Sequence, residues 1–411
     1  MQIDAHQHFW RYHPDTHAWI SDGIPQLKRD FLPADLQPLL AAAGLDGCVA
    51  VQAQQNVTET AWLLQLADQH SFIRGVIGWV DLCAADVADA LRRFATHPRF
   101  RGVRHIVQDE PDDRFMLRPD FQRGIATLAE FGLTYDILIY ARQLPAAIEL
   151  ARRFPQQRFV LDHIAKPDMR ARRIDAWRRD LTTLAACPNV SCKLSGMLTE
   201  ADWQSWKPTD FTAYLDIALD TFGAARLMIG SDWPMCTLAA SYAETITVVT
   251  NYIARLSSSE RDAILGTTAV GVYGLSAPLI YHLVPESELR AGIAGTAYRP
   301  ARFAEDGFVH CAANPASVLA VARDYFSNLS EPLLVLCIEP SHLISKLIFE
   351  APAPIAGGGT SHLQGVQLFP HVYGPVNLSA VTGAAELSKT DGQFRWPEGF
   401  VALPAFLSRH G

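Results

Sequence analysis

Short apolar runs alternate with amphipathic stretches over the first two thirds of the chain. The apolar runs predict eight strands, at residues 2–6, 47–52, 73–80, 101–106, 133–139, 158–163, 189–195 and 226–231. Between them, apolar positions recur at three- and four-residue spacing, which predicts helices such as 33–43, 58–69, 84–95, 119–131 and 146–154. Two short helices follow, near 259–265 and ending near 273–274. This order predicts a closed (β/α)8 TIM barrel in the α/β class.

The hydrophobic pattern changes after Leu275, and the remaining residues predict a smaller α+β fold. Strands are predicted at 280–284 and 333–338, with a helix at 314–326 between them. Residues 356–360 contain three successive glycines but no following lysine with serine or threonine. They therefore predict a surface insertion and not a phosphate-binding loop.

The length of the chain agrees with two domains. A chain of 411 residues exceeds the usual size of one domain, and 49% hydrophobic residues can fill one large and one smaller core. We expect a barrel over residues 1–275, a linker at 276–279 and an α+β domain over 280–411.

Charge and composition exclude several classes of partner. The net charge is -8 and lysines and arginines form no run, which argues against nucleic acid. No basic segment precedes an apolar one at the start, and no apolar run reaches the about 20 residues that span a bilayer. We therefore expect a soluble cytoplasmic protein with no membrane partner. The seven cysteines contain no C-x-x-C pair and are expected to be buried reduced thiols. The sequence carries no signal for an oligomeric state.

The first predicted strand ends in two histidines, His6 and His8. Side chains two positions apart on a strand point to the same face, so both imidazoles can approach one metal ion, water molecule or substrate oxygen. Later strands also end in polar residues, namely His163, Lys193 and Asp232. Because active sites of (β/α)8 barrels lie at the carboxyl ends of the strands, this pattern predicts a hydrolytic site there.

The fourth strand offers two more candidates. Alternation places Arg101 and His105 on one face, directed at the barrel mouth, with Arg104 pointing away. The same rule places Asp162 on the face opposite His163, as an anchor for a helix or loop.

Other residues near the mouth are candidates for contact with a substrate. Lys193 either contacts the substrate or pairs with Asp232. Gln54 and one or two of the neighbouring tryptophans are also expected to touch it; the tryptophans are Trp10, Trp79 and Trp233.

Several of these segments carry a resemblance to a known family. They are residues 4–10, 102–105, 161–167, 193–196 and 230–234. Residues 1–275 resemble the amidohydrolase superfamily, in its branch of sugar lactonases related to L-fuconolactonase. The resemblance implies a distorted (β/α)8 barrel in which His6, His8, His163 and Asp232 surround the hydrolytic water.

The chain departs from the metal-rich members of that superfamily at two strands. The fourth strand has no lysine that could be carboxylated to bridge two metals, and the fifth has no histidine ligand. A binuclear centre is therefore not expected. One weakly bound divalent cation such as zinc, held by His6, His8 and Asp232, stays open beside catalysis without metal.

The expected reaction is hydrolysis of a sugar lactone to the aldonic acid. Asp232 acts as general base towards water, while His6, His8 and His163 orient the water and stabilise the oxyanion. Few basic residues at the mouth and several indoles favour a neutral polyhydroxylated lactone over a dicarboxylate. Two alternatives remain open at this point, a superfamily decarboxylase acting on a small carboxylic acid and a non-enzymatic ligand-binding fusion protein.

Residues from about 279 to 405 resemble a small family of unknown function, related in shape to the ADP-ribosyltransferase fold. The segments that carry the likeness are 280–283, 304–311, 349–350 and 369–377. In transferases of that shape, a histidine on the first strand and a late glutamate bind the nicotinamide dinucleotide, and the resemblance implies comparable places for His282 and Glu350. With His310 and His371 these residues form a candidate ligand-binding site, beside a purely structural role for the domain.

Overall fold

The computed structural model describes residues 1–276, 279–350, 369–397 and 399–409. The chain divides into two compact units, Met1–Leu275 and Ser276–Gly411. Residues 277–278 of the expected linker and the whole glycine-rich segment 356–360 lie outside the described residues.

The first unit is built on a sheet of eight parallel strands in sequence order. The strands are β1 (Ile3–Gln7), β2 (Gly47–Val51), β3 (Ile73–Gly78), β4 (Phe100–Ile106), β5 (Thr134–Leu138), β6 (Phe159–Leu161), β7 (Val190–Leu194) and β8 (Leu227–Ile229). A parallel bridge between Gln7 and Trp233 joins the chain after β8 to β1. The predicted (β/α)8 barrel is confirmed, and every predicted strand lies where the pattern placed it.

Helices connect the strands of the barrel. They are α1 (Pro33–Ala42), α2 (Val57–Gln69), α3 (Val87–Ala95), α4 (Pro119–Glu130), α5 (Leu144–Arg153), α6 (Asp175–Ala185), α7 (Met197–Glu200), α8 (Pro208–Phe222), α9 (Tyr242–Ile253), α10 (Ser258–Asp262) and α11 (Thr268–Tyr273). Helix α5 begins two residues earlier than predicted because Pro145 occupies its first turn, where proline is well tolerated. Helix α3 begins later because residues 84–86 form a turn.

Two sets of buried side chains stabilise this unit. One large cluster lies between the strands and the helices and includes Cys48, Ala50 and Val103. A separate cluster joins strand residues such as Val49 and Val51 to the last helix. Within the described part of the chain, all seven cysteines are free thiols and six of them are buried.

The second unit is a smaller α+β domain, as predicted. Its strands are β9 (Ile280–Pro285), β10 (Ile293–Ala294), β11 (Ala297–Tyr298), β12 (Val309–His310), β13 (Leu333–Ile338), β14 (Lys346–Glu350), β15 (Phe369–Tyr373), β16 (Val376–Asn377), β17 (Val381–Glu386), β18 (Lys389–Thr390) and β19 (Gln393–Phe394). Its helices are α12 (Glu286–Gly292), α13 (Phe303–Asp306), α14 (Pro315–Tyr325) and α15 (Leu403–Arg409). Strand β13, buried along its length, pairs antiparallel with β9 and β17.

Among the described residues, none of the helices has the length and apolar character needed to cross a membrane.

Candidate active site

Three imidazoles converge on one carboxylate at the carboxyl ends of the strands. The Oδ1 atom of Asp232 lies 3.4 Å from Nε2 of His8, 3.6 Å from Nε2 of His6 and 3.8 Å from Nε2 of His163. All four side chains are buried. The structure therefore brings together the four residues that strand ends and motifs had singled out.

The opposite ring nitrogens of two histidines are held by neighbouring strands. Nδ1 of His8 lies 2.8 Å from the carbonyl oxygen of Val51, and Nδ1 of His163 lies 2.8 Å from Oγ of Ser195. Because a carbonyl can only accept, the Nδ1 atom of His8 carries the proton, which leaves Nε2 unprotonated in the neutral ring. That nitrogen lies 3.2 Å from Nε2 of His6 and can accept a proton or bind a cation beside Asp232.

The backbone is strained at both segments that carry these groups. Residues 163–166 have φ between 45° and 60°, and Asp232 has φ 57°. The left-handed conformation costs non-glycine residues roughly 1–2 kcal/mol each. Strain of this kind clusters at functional sites, where surrounding contacts hold it in place. Gly196 is one such contact, because a Cβ there would lie 2.4 Å from Nδ1 of His163.

A buried carboxylate on β1 holds the segment around Asp232. Asp4 accepts hydrogen bonds from the backbone nitrogen of Ser231 (2.9 Å), the Ser231 hydroxyl (2.6 Å) and the Tyr242 hydroxyl (3.1 Å). Burial raises the pKa of Asp4 to about 6, against the opposing effect of these bonds. The first strand thus supplies the two histidines and also fixes the residue beside Asp232.

A network of buried charges lies next to His6. The ammonium of Lys193 donates to Asp136 (2.6 Å) and lies 3.0 Å from Asp162. The guanidinium of Arg104 donates to Asp162 (3.1 Å) and lies 3.3 Å from Nε2 of His6. Nδ1 of His6 lies 3.3 Å from Asp162 and 3.2 Å from Lys193. The ring of His6 is therefore surrounded by charges of both signs.

Burial and neighbouring charges set the protonation states of the site. Burial alone would raise the pKa of Asp232, but the adjacent imidazoles of His163, His8 and His6 hold it below its usual range. Burial lowers the pKa of His163 to about 4 and that of His6 well below its ordinary value. At neutral pH the site thus combines the ionised carboxylate of Asp232 with neutral imidazoles at His6 and His163.

The charged network shows the same balance of effects. Burial raises the pKa of Asp136 to about 6, although Lys193 opposes the rise. Burial also opposes ionisation of Asp162, but Lys193, His6 and Arg104 hold its pKa well below the usual range.

The predicted orientation of β4 is wrong. Arg104 points to His6 and Asp162, whereas His105 stacks on Phe115 with ring centroids 4.9 Å apart and lies 2.7 Å from Glu110. The reason is a β-bulge, since Phe100 and Gly102 pair with the consecutive residues Val76 and Ile77 of β3. Arg101 is the extra residue in β4. Beyond it, the residues that point inward and outward are therefore the reverse of those predicted by counting every second residue from Arg101.

Arg101 itself lies away from the four-residue cluster. Its side chain packs near the backbone of Gly75 and Gly274, beside Leu275. The structure therefore separates this predicted substrate contact from Asp232.

Asp162 also differs from its predicted orientation. It contacts Arg104, His6 and Lys193 and does not serve as an anchor away from the site. Asp162 and His163 are adjacent in sequence, yet both reach the site because the backbone adopts the left-handed conformation at His163.

Lys193 and Trp233 occupy different places from those expected. Lys193 is fully buried and pairs with Asp136 and Asp162 rather than with Asp232. Trp233 is 2% exposed and packs edge-to-face on Phe9 and Phe31, so its indole belongs to the core.

Trp79 and Gln54 remain partly exposed. Nε1 of Trp79 donates to His105 (3.4 Å), and the Gln54 amide nitrogen lies 2.9 Å from Nε2 of His17. Their contact with a substrate stays a prediction.

Sequence reasoning missed Asp136 and the inward direction of Arg104. Asp136 stands in the middle of a strand whose five residues are all buried. A carboxylate inside an apolar strand needs a buried partner, and that requirement was the available signal.

Two overlapping groups of residues could hold a metal ion. They are His6, His8 and Asp232, and His6, Asp162 and His163, each with ligand atoms within 4.8 Å of one another. Neutral imidazoles and an ionised carboxylate are the protonation states that zinc requires. The first group therefore fits one divalent cation, although Arg104 competes with it for Nε2 of His6.

The candidate residues of the second unit fall into two places. His371 lies 2.8 Å from Glu350, which also accepts from the Tyr373 hydroxyl (2.6 Å), and the rings of His310 and His371 are 5.3 Å apart. These groups share one face of the sheet formed by β12, β15 and β14. His282 is buried instead, with Nδ1 2.7 Å from the His310 carbonyl. Ligand binding at His310, Glu350 and His371 stays a prediction.

Comparison with known families supports the two resemblances. A family described as Amidohydrolase matches residues 3–275, and one described as a protein of unknown function (DUF952) matches residues 283–384.

Individual relatives cover the first unit. The chain is 44% identical over 289 residues to an L-fucono-1,5-lactonase of Burkholderia multivorans, spanning 68% of this chain and 97% of that protein. It is 40% identical over 247 residues to an L-fucono-1,5-lactonase of Burkholderia ambifaria, spanning 59% and 83%. A crystal structure of an amidohydrolase from Burkholderia multivorans with bound zinc aligns with a TM-score of 0.65 and 43% identity, over 67% of this chain and 99% of that one.

Proposed function

Because the chain belongs to the amidohydrolase family, we propose that it hydrolyses the ester bond of a sugar lactone and releases the aldonic acid. The observation that carries the proposal is the single carboxylate of Asp232 with three imidazole nitrogens within 3.4–3.8 Å. Two relatives at 40% and 44% identity are L-fucono-1,5-lactonases, which favours a 1,5-lactone of a similar neutral sugar.

Asp232 is the general base of this reaction. It takes a proton from water while the water oxygen attacks the lactone carbonyl carbon, and it returns that proton to the ring oxygen as the carbon–oxygen bond breaks. Its depressed pKa keeps it ionised at neutral pH. The same property makes the protonated form a strong acid, which favours rapid return of the proton to the leaving oxygen.

The histidines orient the water, and a ring that carries its proton on Nε2, unlike the neutral ring of His8, also stabilises the charge that develops on the carbonyl oxygen. His6, His8 and His163 direct Nε2 atoms at the same carboxylate, so a water bonded to Asp232 lies among them. The fixed positive charge of Arg104, 3.3 Å from Nε2 of His6, adds electrostatic stabilisation of an oxyanion.

A divalent cation fits the same residues. Held by His6, His8 and Asp232, it would supply Lewis-acid polarisation of the carbonyl. The lactone ester is more reactive than an amide, so the hydrogen-bonding groups alone also offer a route.

The charges around the site favour a neutral substrate. Both cations of the network are committed to buried carboxylates, Lys193 to Asp136 and Asp162, and Arg104 to Asp162. Neither is free to clamp a substrate carboxylate. A dicarboxylate lactone is therefore a poor fit to these described residues.

A panel of aldonolactones tests the proposal. Acid release is followed with a pH indicator, with and without chelator, and a dicarboxylate lactone serves as the matched control. We expect 1,5-lactones of neutral sugars to open far faster than in buffer, and the control to open at its spontaneous rate. If every neutral lactone opens at its spontaneous rate with and without added zinc, the proposal is wrong.

A further inference from the structure

A cleft of about 430 Å³ opens between the segment that follows β1 and the start of α2. Its lining begins with Trp10, two residues after His8, and continues with Gln54, three residues after Val51. Because Val51 bonds to His8, both segments leave the barrel beside the candidate active site. The volume lies within the usual range of small-molecule sites, roughly 300–1,000 Å³.

The walls of the cleft combine indole rings with side-chain amides. Trp62 supplies a partly exposed indole, Trp10 lines the base of the cleft with a ring that is only 1% exposed, and Gln54, Asn56 and Gln65 supply the amides. An amide both donates and accepts hydrogen bonds, which matches the hydroxyl groups of a sugar. An indole face packs against the apolar C–H face of a sugar ring.

One face of α2 provides half of this lining. Thr58, Trp62 and Gln65 follow one another at helical spacing, and Trp62 is only half-buried. The guanidinium carbon of Arg11 lies 5.8 Å from the centroid of the Trp62 ring, within the range of a cation–π contact, so Arg11 packs beside this indole.

The amides at the base of the cleft are already positioned. The Asn56 amide donates to the Gln54 side chain (2.8 Å), and Asn56 accepts from the backbone nitrogen of Glu59 (2.7 Å). Groups held in place before binding lose less conformational entropy when a ligand arrives.

The floor of the cleft presents no free carboxylate. The Glu59 carboxyl group accepts from the backbone nitrogens of Ala53 (3.0 Å) and Gln54 (2.8 Å) and is buried. Burial raises its pKa to about 8, so it is largely uncharged at neutral pH. The base of the cleft therefore adds no negative charge, and the cation of Arg11 packs beside the Trp62 ring.

We propose that this cleft binds a neutral sugar ring. The inference deepens the proposed lactonase function and rests on it where the ring belongs to the substrate. The ring is either the distal sugar of a glycosylated lactone or a separate free sugar.

Binding of methyl glycosides tests the cleft apart from hydrolysis, because these sugars have no lactone bond. Methyl α-D-glucopyranoside and methyl β-D-galactopyranoside are titrated into the full chain by calorimetry. We expect saturable binding that Trp62→Ala weakens about tenfold, as loss of one aromatic contact does. Gln65→Ala should weaken it by a smaller factor.

Gln69→Ala is the matched control, since Gln69 is exposed on α2 one turn beyond Gln65 and lies outside the cleft. Gln65→Ala alters only an exposed side chain. If Trp62→Ala fails to fold, the effect of Gln65→Ala on glycoside binding therefore tests the proposal. The proposal is overturned if neither glycoside binds the native chain, or if Gln65→Ala binds both as the native chain does.

Kinetics distinguish the two sources of the ring. The KM values of lactobiono-1,5-lactone and glucono-1,5-lactone are compared in the native chain and in Trp62→Ala. A rise about tenfold larger for the disaccharide lactone identifies the distal ring of the substrate. Equal effects on both lactones, with weakened glycoside binding, identify a free sugar. If the native chain binds glycosides but opens no lactone, the proposed function fails and the cleft inference stands.

Discussion

The ammonium group of Lys193 lies between two buried carboxylates, and its removal should destabilise the barrel in a pH-dependent way. It is 2.6 Å from Asp136 and 3.0 Å from Asp162, and all three side chains are fully buried. Lys193→Met keeps most of the length of the side chain and removes the charge. Two carboxylates then remain close together without their cation.

The size of the effect follows from the burial of the pair. Removing one partner of a buried ion pair typically costs about 3–5 kcal/mol, which for a domain of this size corresponds to a fall in Tm of roughly 6–20 °C. Burial already raises the pKa of Asp136 from 3.8 to about 6 while Lys193 is present. Without the ammonium that pKa rises further above the unfolded value, so stability falls as pH rises through it.

Differential scanning calorimetry of the full chain at pH 5.5 and pH 8 measures this effect. We expect the fall in Tm caused by Lys193→Met to be larger at pH 8 than at pH 5.5. The double variant Lys193→Met/Asp136→Asn should recover part of that Tm, and the exposed control Lys207→Met should leave Tm unchanged. A Tm of Lys193→Met equal to that of the native chain at pH 8 would refute the electrostatic reasoning.

Three further predictions concern folding, metal and pH. Residues 1–275, expressed alone, should fold and open lactones, because all eight barrel strands lie within Met1–Leu275; a folded but inactive fragment would place part of the site elsewhere. Elemental analysis should find at most one divalent ion per chain, removable by chelator, because His6 is shared by both ligand groups; two tightly held ions would contradict this. Burial lowers the pKa of His163 to about 4, so an NMR titration of its ring should be centred near pH 4; a titration of that ring centred near the ordinary histidine pKa of 6.5 would show that His163 is not held neutral.

The barrel could be predicted because its signal is repeated along the chain. Each strand is a short apolar run and each connection has helical spacing, so errors at single boundaries do not alter the count. The cluster could be predicted for a related reason, since the carboxyl ends of parallel strands meet at one edge. His6, His8, His163 and Asp232 all follow from that rule together with the family resemblance.

The directions of individual side chains could not be predicted where the backbone departs from regular alternation. The bulge at Arg101 reverses the faces of Arg104 and His105, and the left-handed turn at His163 brings Asp162 into the same site. The bulge depends on how β4 pairs with β3, and the turn lies beyond the end of β6, so local periodicity reports neither feature.

The role of Lys193 could not be predicted, because its partners lie on other strands. Its contacts, Asp136 on β5 and Asp162 after β6, are far from it in sequence, so the choice between substrate contact and structural pairing required the fold.

Replacement of Asp232 by asparagine tests the central claim most directly. Asp232→Asn keeps the shape of the side chain and removes the carboxylate on which the three imidazoles converge. We predict that kcat for a 1,5-aldonolactone falls about 10²- to 10⁴-fold, the usual contribution of a general acid–base group, while Tm stays close to that of the native chain. The exposed control Asp168→Asn, on the segment after β6, should retain full activity. Near-native turnover by a folded Asp232→Asn protein would contradict the proposed mechanism.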